Sequence, residues 1–460
     1  MTQTRILIIS NDIVGSNMAG PGIRSLELAR VLSKIFDVVL AAPNESDLPQ
    51  EAIRLHPYQY HHWDSLRPAL EGVDVIFATG FALQMFAPLL DFPLPIVIDL
   101  YDPFPLENLY LFEEVDTAQK QQVYQTDLSI VDVMCRRGDY FVCANERQRD
   151  WWLGVLQAKG RINALTAGED PSLRRLVDVL AFGLPSRLLA TDAPGPRELL
   201  PAISLDDPLI LWGGGLWAWL DPITLIQAMP LILAEVPRAK LLFPGTRHPN
   251  SLVPMMKRTV EAIALAEQMG LTEQSIFFGE WIPYDSWTSY VMQSDVAISL
   301  HYDTLETQFS AVRSRILSYI WAGLPMVVTE GDAASRLVQE YHLGEVVPYE
   351  DVEGVAEAIV RVLRQGKAPY RAGLDAIAPT LTWEEVARPL MEFCHAPRLA
   401  PDRVAGWVTS RAEVNGHSNH IQQQQLEIAQ LRQTIQAYEQ GRFIRLMQEV
   451  ERLKRKLFSF

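Results

Sequence analysis

Residues 5–42 read RILIISNDIVGSNMAGPGIRSLELARVLSKIFDVVLAA, and this stretch decides the fold class. Residues 5–10 are an apolar run of strand length. A polar, glycine-bearing stretch follows and ends at Gly20-Pro21-Gly22. Ile23, Leu26, Leu28, Ala29, Leu32 and Ile35 then recur with helical period, before a second apolar run at 38–42. Strand, loop, helix and strand in this order make a βαβ unit. Apolar runs without alternation are what a parallel sheet covered on both faces produces.

Working outward, further runs at 73–78, 96–100 and 140–143 extend the series, with helical patterns between them. Residues 1–185 are expected to form one doubly wound α/β domain. After a proline-rich stretch at 193–201 a second series begins, with runs at 209–212, 240–243, 275–278, 296–300, 325–329 and 345–347. Segments such as 223–235 and 352–363 read as helices between them. The expectation is an α/β protein of two Rossmann-like domains, 1–185 and 186–395, facing a cleft, because ligands of open parallel sheets sit at the carboxyl ends of the strands. A linker is expected over 396–416.

From 417 the composition changes. Glutamines occupy 422–425, and Ile421, Ile428, Leu431, Ile435, Tyr438, Leu446, Val450, Leu453 and Leu457 form a weak heptad seam, which predicts a long, weakly coiled-coil helix. Its end carries Arg442, Arg445, Arg452, Lys454, Arg455 and Lys456 against Glu449 and Glu451. That basic end reads either as membrane-surface contact or partner docking, self-association included, or as an ordinary solvated helix face.

Composition narrows the partners. The 460 residues are 48% hydrophobic, which excludes a disordered or collagenous chain. With 40 basic and 56 acidic residues the net charge is −16, so no nucleic acid partner is expected, since phosphate backbones need a concentrated basic surface. Cys135, Cys143 and Cys394 lack zinc-ligand spacing and suit a reducing compartment. The start MTQTRILIIS lacks the features of an export signal, and the apolar runs are far below the ~18 residues of a membrane span. A cytoplasmic chain, with peripheral contact at the inner membrane face through the basic tail, is expected.

Three stretches bear on chemistry. Gly20-Pro21-Gly22 opens a helix, where amides and the helix dipole attract an anion, with Arg24 beside the same pole; a plain tight turn is the other account. LILWGGGLWAWLDP at 209–222 runs a strand into Gly213, Gly214 and Gly215. Three glycines cost backbone entropy, so close approach of a ligand to the main chain is the reading, with a packing crossover as its competitor. In TLETQFSAVRSRILSYIWAGLPMVVTEGD at 304–332, Arg313 and Arg315 stand at a helix start and suit a diphosphate, or else structural ion pairs. Glu306, Glu330, Gly331 and Asp332 bracket the same region as sugar-hydroxyl ligands, or as a turn and helix cap. Asp99 and Asp102, in VIDLYDP, are the acidic candidates for acceptor contact, Asp102 also fitting a turn before Pro103. Trp281 and Ile282 are candidates for a nucleobase-facing edge, or core.

WGGGLWAWLDPITLIQA at 212–228, WAGLPMVVTEGD at 321–332, ANERQRDWWLG at 144–154 and FGLP at 182–185 together resemble the family 4 glycosyltransferases of GT-B architecture, within a bacterial subgroup working on surface polysaccharide or lipopolysaccharide. The resemblance covers about residues 1–395. It implies a nucleotide-diphosphate sugar donor on the second domain and a glycan or lipid-linked acceptor on the first. It further implies retention at the sugar carbon, with no cofactor and no obligatory metal. The family's Glu-x7-Glu stretch falls on Ser310 and Ser318, and its Arg and Lys near the triple glycine fall at Gly215 and Asp221. Arg313 and Arg315 are expected to supply the displaced charge, and Glu306, with Asp99, the carboxylate contacts. A catalytically silent nucleotide-sugar-binding or scaffold protein, and a nucleotide-sugar epimerase, are the competing readings.

Overall fold

The computed structural model describes residues 3–48, 53–111, 115–185, 193–247 and 255–408. The expected helical tail from 417, with its basic end, lies outside them.

The first lobe is a seven-stranded parallel sheet in the order β3-β2-β1-β4-β5-β6-β7. Its strands are β1 (Arg5–Ile9), β2 (Asp37–Ala42), β3 (Arg54–Pro57), β4 (Val75–Ala78), β5 (Ile96–Asp99), β6 (Tyr140–Cys143) and β7 (Val177–Val179). Along β1 the side chains alternate between two buried faces. Ile6 and Ile8 join the cluster of Leu28 and Leu32 from the helix Gly20–Ser33, while Leu7 and Ile9 join that of Ile76 and Ile98. Burial on both faces is why the strand shows no polar alternation.

The second lobe repeats the plan in six strands ordered β10-β9-β8-β11-β12-β13. These are β8 (Leu209–Trp212), β9 (Lys240–Phe243), β10 (Ile276–Phe278), β11 (Val296–Ser299), β12 (Met326–Thr329) and β13 (Gly344–Val347). All pairings within both sheets are parallel. Chain order reverses beside β1 in one sheet and beside β8 in the other, so the loops leaving these two strands border a crevice.

Two strands were not anticipated. β3 reads RLHP and β7 reads VDV, both at an edge of the sheet and neither an apolar run. Edge strands are only half covered, so their sequences carry little pattern.

The chain does not remain with the second lobe to its end. Thr382 bridges to Leu184, and Phe393 of the helix Arg388–His395 stacks on Tyr140 of β6 at 4.8 Å. The stretch expected as a linker contains the short helix Pro401–Val404. There Asp402, fully buried, takes Nε of the equally buried Arg161 at 2.8 Å, and Arg403 reaches Asp139 at 2.6 Å. Residues 396–408 are thus part of the folded body and fasten to the first lobe.

Candidate active site

Between the carboxyl ends of the two sheets lies a cavity of about 660 Å³. Its second-lobe wall is built by the turn after β8 and by the segment around the helix Ser314–Trp321. Gly214 (φ +76°) and Gly215 line the cavity; Gly213 is occupied differently, its N–H donating to Tyr319 Oη at 2.8 Å. A methyl on Gly213 would come within 2.5 Å of that oxygen, so this glycine answers to packing. Arg315 lines the cavity next to the turn. Its Nη2 donates to the Gly215 carbonyl at 2.8 Å and its guanidinium lies 5.6 Å from the Trp212 ring. Nη1 has no hydrogen-bond partner among the described residues. Burial, with Arg313 nearby, lowers the Arg315 pKa to about 10, so it remains a cation at neutral pH.

Arg313 lines the same wall and is held from behind. Nη2 donates to Glu306 at 2.9 Å, and Nη1 lies 3.4 Å from Asp332. Burial outweighs Arg313 and raises the Glu306 pKa above the ordinary carboxylate range. For Asp332, burial is overcome by His301, whose Nε2 lies 3.4 Å away, and by the charge of Arg313, and its pKa falls. Asp332 Oδ1 also caps the helix Ala333–Tyr341 through Ser335 N–H at 2.7 Å. It does not line the cavity. Glu330 and Gly331, expected at the donor, are exposed and away from its lining. Gly331 (φ +96°) lies where any side chain would collide with the Tyr349 hydroxyl. Glu330-Gly331-Asp332 is therefore a turn and cap, of which Asp332 steadies Arg313.

The first-lobe wall differs from the expectation as well. Arg24 and Asp99 engage each other instead of facing a ligand: Nε and Nη2 donate to Oδ2 and Oδ1 at 2.7 and 2.9 Å. The remaining Arg24 donors reach the carbonyls of Leu180 and Ala181, and Tyr101 covers the guanidinium at 4.5 Å. Both residues border a separate void of about 50 Å³ and neither lines the main cavity. Gly22 is likewise a packing glycine, pressed against the Ile13 carbonyl, whereas Gly20 lines the main cavity. The first-lobe carboxylates that do line it are Asp12, Asp102, in the turn after β5, and Glu107, in the helix Phe104–Leu111. Glu107 was not anticipated, since one glutamate in an apolar helix start leaves no distinctive pattern.

Tryptophans line much of the remainder: Trp217 and Trp219, stacked in parallel at 5.6 Å, with Trp281, Trp287, Trp321 and Trp383. Trp281 and Ile282 both lie in this lining. The motif at 144–154 joins the lobes. Asn145 caps its own helix through Gln148 N–H and donates Nδ2 to the Ser310 carbonyl at 2.9 Å, while Arg147 covers Phe309 at 5.1 Å. This fixes the segment carrying Glu306 and Arg313 against the first lobe. No three His, Cys, Asp or Glu side chains among the described residues are grouped as metal ligands.

The comparisons agree with this architecture. Residues 207–365, the core of the second lobe, match the family model described as "Glycosyl transferases group 1". The fold is that of the GT-B proteins. Sucrose-phosphate synthase from Thermosynechococcus elongatus superposes with a TM-score of 0.60 at 16% identity, over 85% of this chain and 98% of that one. HepE from Anabaena, solved in complex with UDP-glucose, gives 0.60 at 14% identity, over 85% and 99%. WaaG, a glycosyltransferase involved in lipopolysaccharide biosynthesis, gives 0.55 at 15% identity, over 85% and 100%. No curated protein matches the sequence. No helix among the described residues is long and apolar enough to cross a membrane.

Proposed function

We propose that the protein is a glycosyltransferase moving a hexose or similar sugar from a nucleotide-diphosphate donor to a hydroxyl of a glycan or lipid-linked acceptor. The observation that carries this reading is Arg315, a cavity-lining guanidinium held at the carboxyl end of β8, beside Gly214, by its bond to the Gly215 carbonyl. As the glycosidic bond breaks, the leaving diphosphate gains negative charge. Fixed guanidinium groups and bare amides in a water-poor cleft then stabilise the transition state more than the ground state. The family match over this lobe and the UDP-glucose held by Anabaena HepE support the assignment.

Retention at the sugar carbon, independence of metal and cofactor, and a role in surface-polysaccharide assembly belong to the same proposal. The likeness to WaaG favours the last of these, and a cytoplasmic enzyme touching the membrane through its basic tail would suit it.

One observation favours a silent binding module instead. Ser310 donates its hydroxyl to the Thr307 carbonyl and Ser318 to that of Ser314, so both side chains bond back to their own segment. Calorimetric titration with UDP, GDP and ADP, paired with a mass-spectrometric screen of nucleotide-sugar hydrolysis, separates the readings. Binding with turnover supports the transferase, binding without turnover the silent module, and inversion of the sugar an epimerase.

A further inference from the structure

Opposite the guanidinium wall, the first lobe presents two carboxylates that no described residue pairs directly. Asp102 and Glu107 both line the cavity, both are half-buried, and neither side chain makes a hydrogen bond or ion pair among the described residues. The charges around them are committed elsewhere: Asp99 to Arg24, and Glu306 to Arg313. Asp12, also in the lining, accepts from Ile13 N–H. Burial, reinforced by Asp99 and Glu306 against the opposing charge of Arg24, pushes the Asp102 pKa up to about 7; burial, reinforced by Asp102 and Glu306 against Arg313, holds that of Glu107 well above the ordinary range. Across the same cavity Arg315, 8% exposed, leaves Nη1 unpartnered.

The cavity is therefore bipolar, with one wall built for an anion and the other for a cation. A cation that satisfies carboxylates singly through N–H donors matches two separate acceptors of this kind. An ammonium group does this with three. Phe81 and Tyr101 also line the cavity.

Resting on the glycosyl-transfer reading, we infer that the acceptor is an amino sugar, or a glycan ending in one, whose protonated amine sits between Asp102 and Glu107. Seating the ammonium favours the ionised form of both carboxylates, so its binding releases protons.

The test uses the full chain, first titrated with UDP, GDP and ADP. With the diphosphate that binds held saturating, a glucosamine disaccharide and its N-acetylated form are titrated at about pH 6.5, just below the raised Asp102 value, in two buffers of different ionisation enthalpy. The expected result is affinity for the amine greater by about tenfold or more, as charged hydrogen bonds provide, with proton release on binding. Asp102→Asn with Glu107→Gln should abolish both the preference and the proton release while diphosphate binding persists. Equal affinity for the two disaccharides, or diphosphate binding with neither disaccharide bound, overturns the inference. Failure of all three diphosphates instead contradicts the transfer reading.

Discussion

The guanidinium of Arg24 lies against the carboxylate of Asp99 as a two-pronged ion pair, 2.7 Å and 2.9 Å across, with both side chains almost wholly buried. Removing one partner strands the other charge in the interior. Asp99→Ala and Arg24→Ala should each cost about 3–5 kcal/mol of stability, read as a fall in the denaturant midpoint. Joint replacement should cost less than the sum of the single changes. Additive losses would show the pair to be uncoupled.

The closing segment makes a parallel prediction. A chain ending at 408 keeps Asp402 on Arg161 and Arg403 on Asp139, whereas one ending at 395 leaves Arg161 buried without its carboxylate. The first should melt close to the full chain. The second should lose several kcal/mol and expose the first lobe to protease. Equal protease resistance would contradict the assignment of 396–408 to the folded body.

Both results bear on what the sequence disclosed. The two parallel sheets were legible because nearly every strand is buried on both faces and reads as an unbroken apolar run. β3 and β7, at the sheet edge, were not. The placement of Arg313, Arg315, Gly214, Gly215, Gly20 and Glu306 at one cavity followed from strand ends and helix starts. Partner choice did not follow. Nothing local in VIDLYDP distinguishes Asp99, which faces Arg24, from Asp102 three residues on, because Arg24 lies 75 positions away. Asp332 read either as a ligand or as a helix cap: its cap to Ser335 is local, whereas its support of Arg313, 19 positions away, is not legible in the sequence.

Asp102 gives the stability a pH dependence with a defined sign. Its pKa is raised on folding, to about 7. Below the unfolded value of about 4 the group is neutral in both states; as pH rises from there through 7, ionisation is penalised only in the folded chain, and stability falls. Asp102→Asn removes that penalty. The variant should melt above the unliganded parent at pH 8, with the difference shrinking toward pH 4. A constant difference across this range would show that Asp102 titrates normally.

Tyr319 connects the glycine turn to the sheet by accepting from Gly213 N–H and donating to the Ile298 carbonyl at 3.3 Å. Tyr319→Phe leaves a buried amide unsatisfied and should cost about 1–3 kcal/mol. Diphosphate affinity should weaken with it, because Gly214 and Gly215 then lose their anchor. Unchanged affinity in a folded variant would separate the turn from the ligand.

The most direct measurement is calorimetric titration of UDP, GDP and ADP into the parent protein, Arg315→Ala and Arg315→Lys, with circular dichroism establishing that the variants fold. The parent should bind at least one of the three. Arg315→Ala should weaken that binding by roughly 30- to 100-fold, as loss of a charged hydrogen bond requires, and Arg315→Lys should recover part of it. A folded Arg315→Ala protein binding the diphosphate as tightly as its parent would contradict the claim that this guanidinium holds the leaving group.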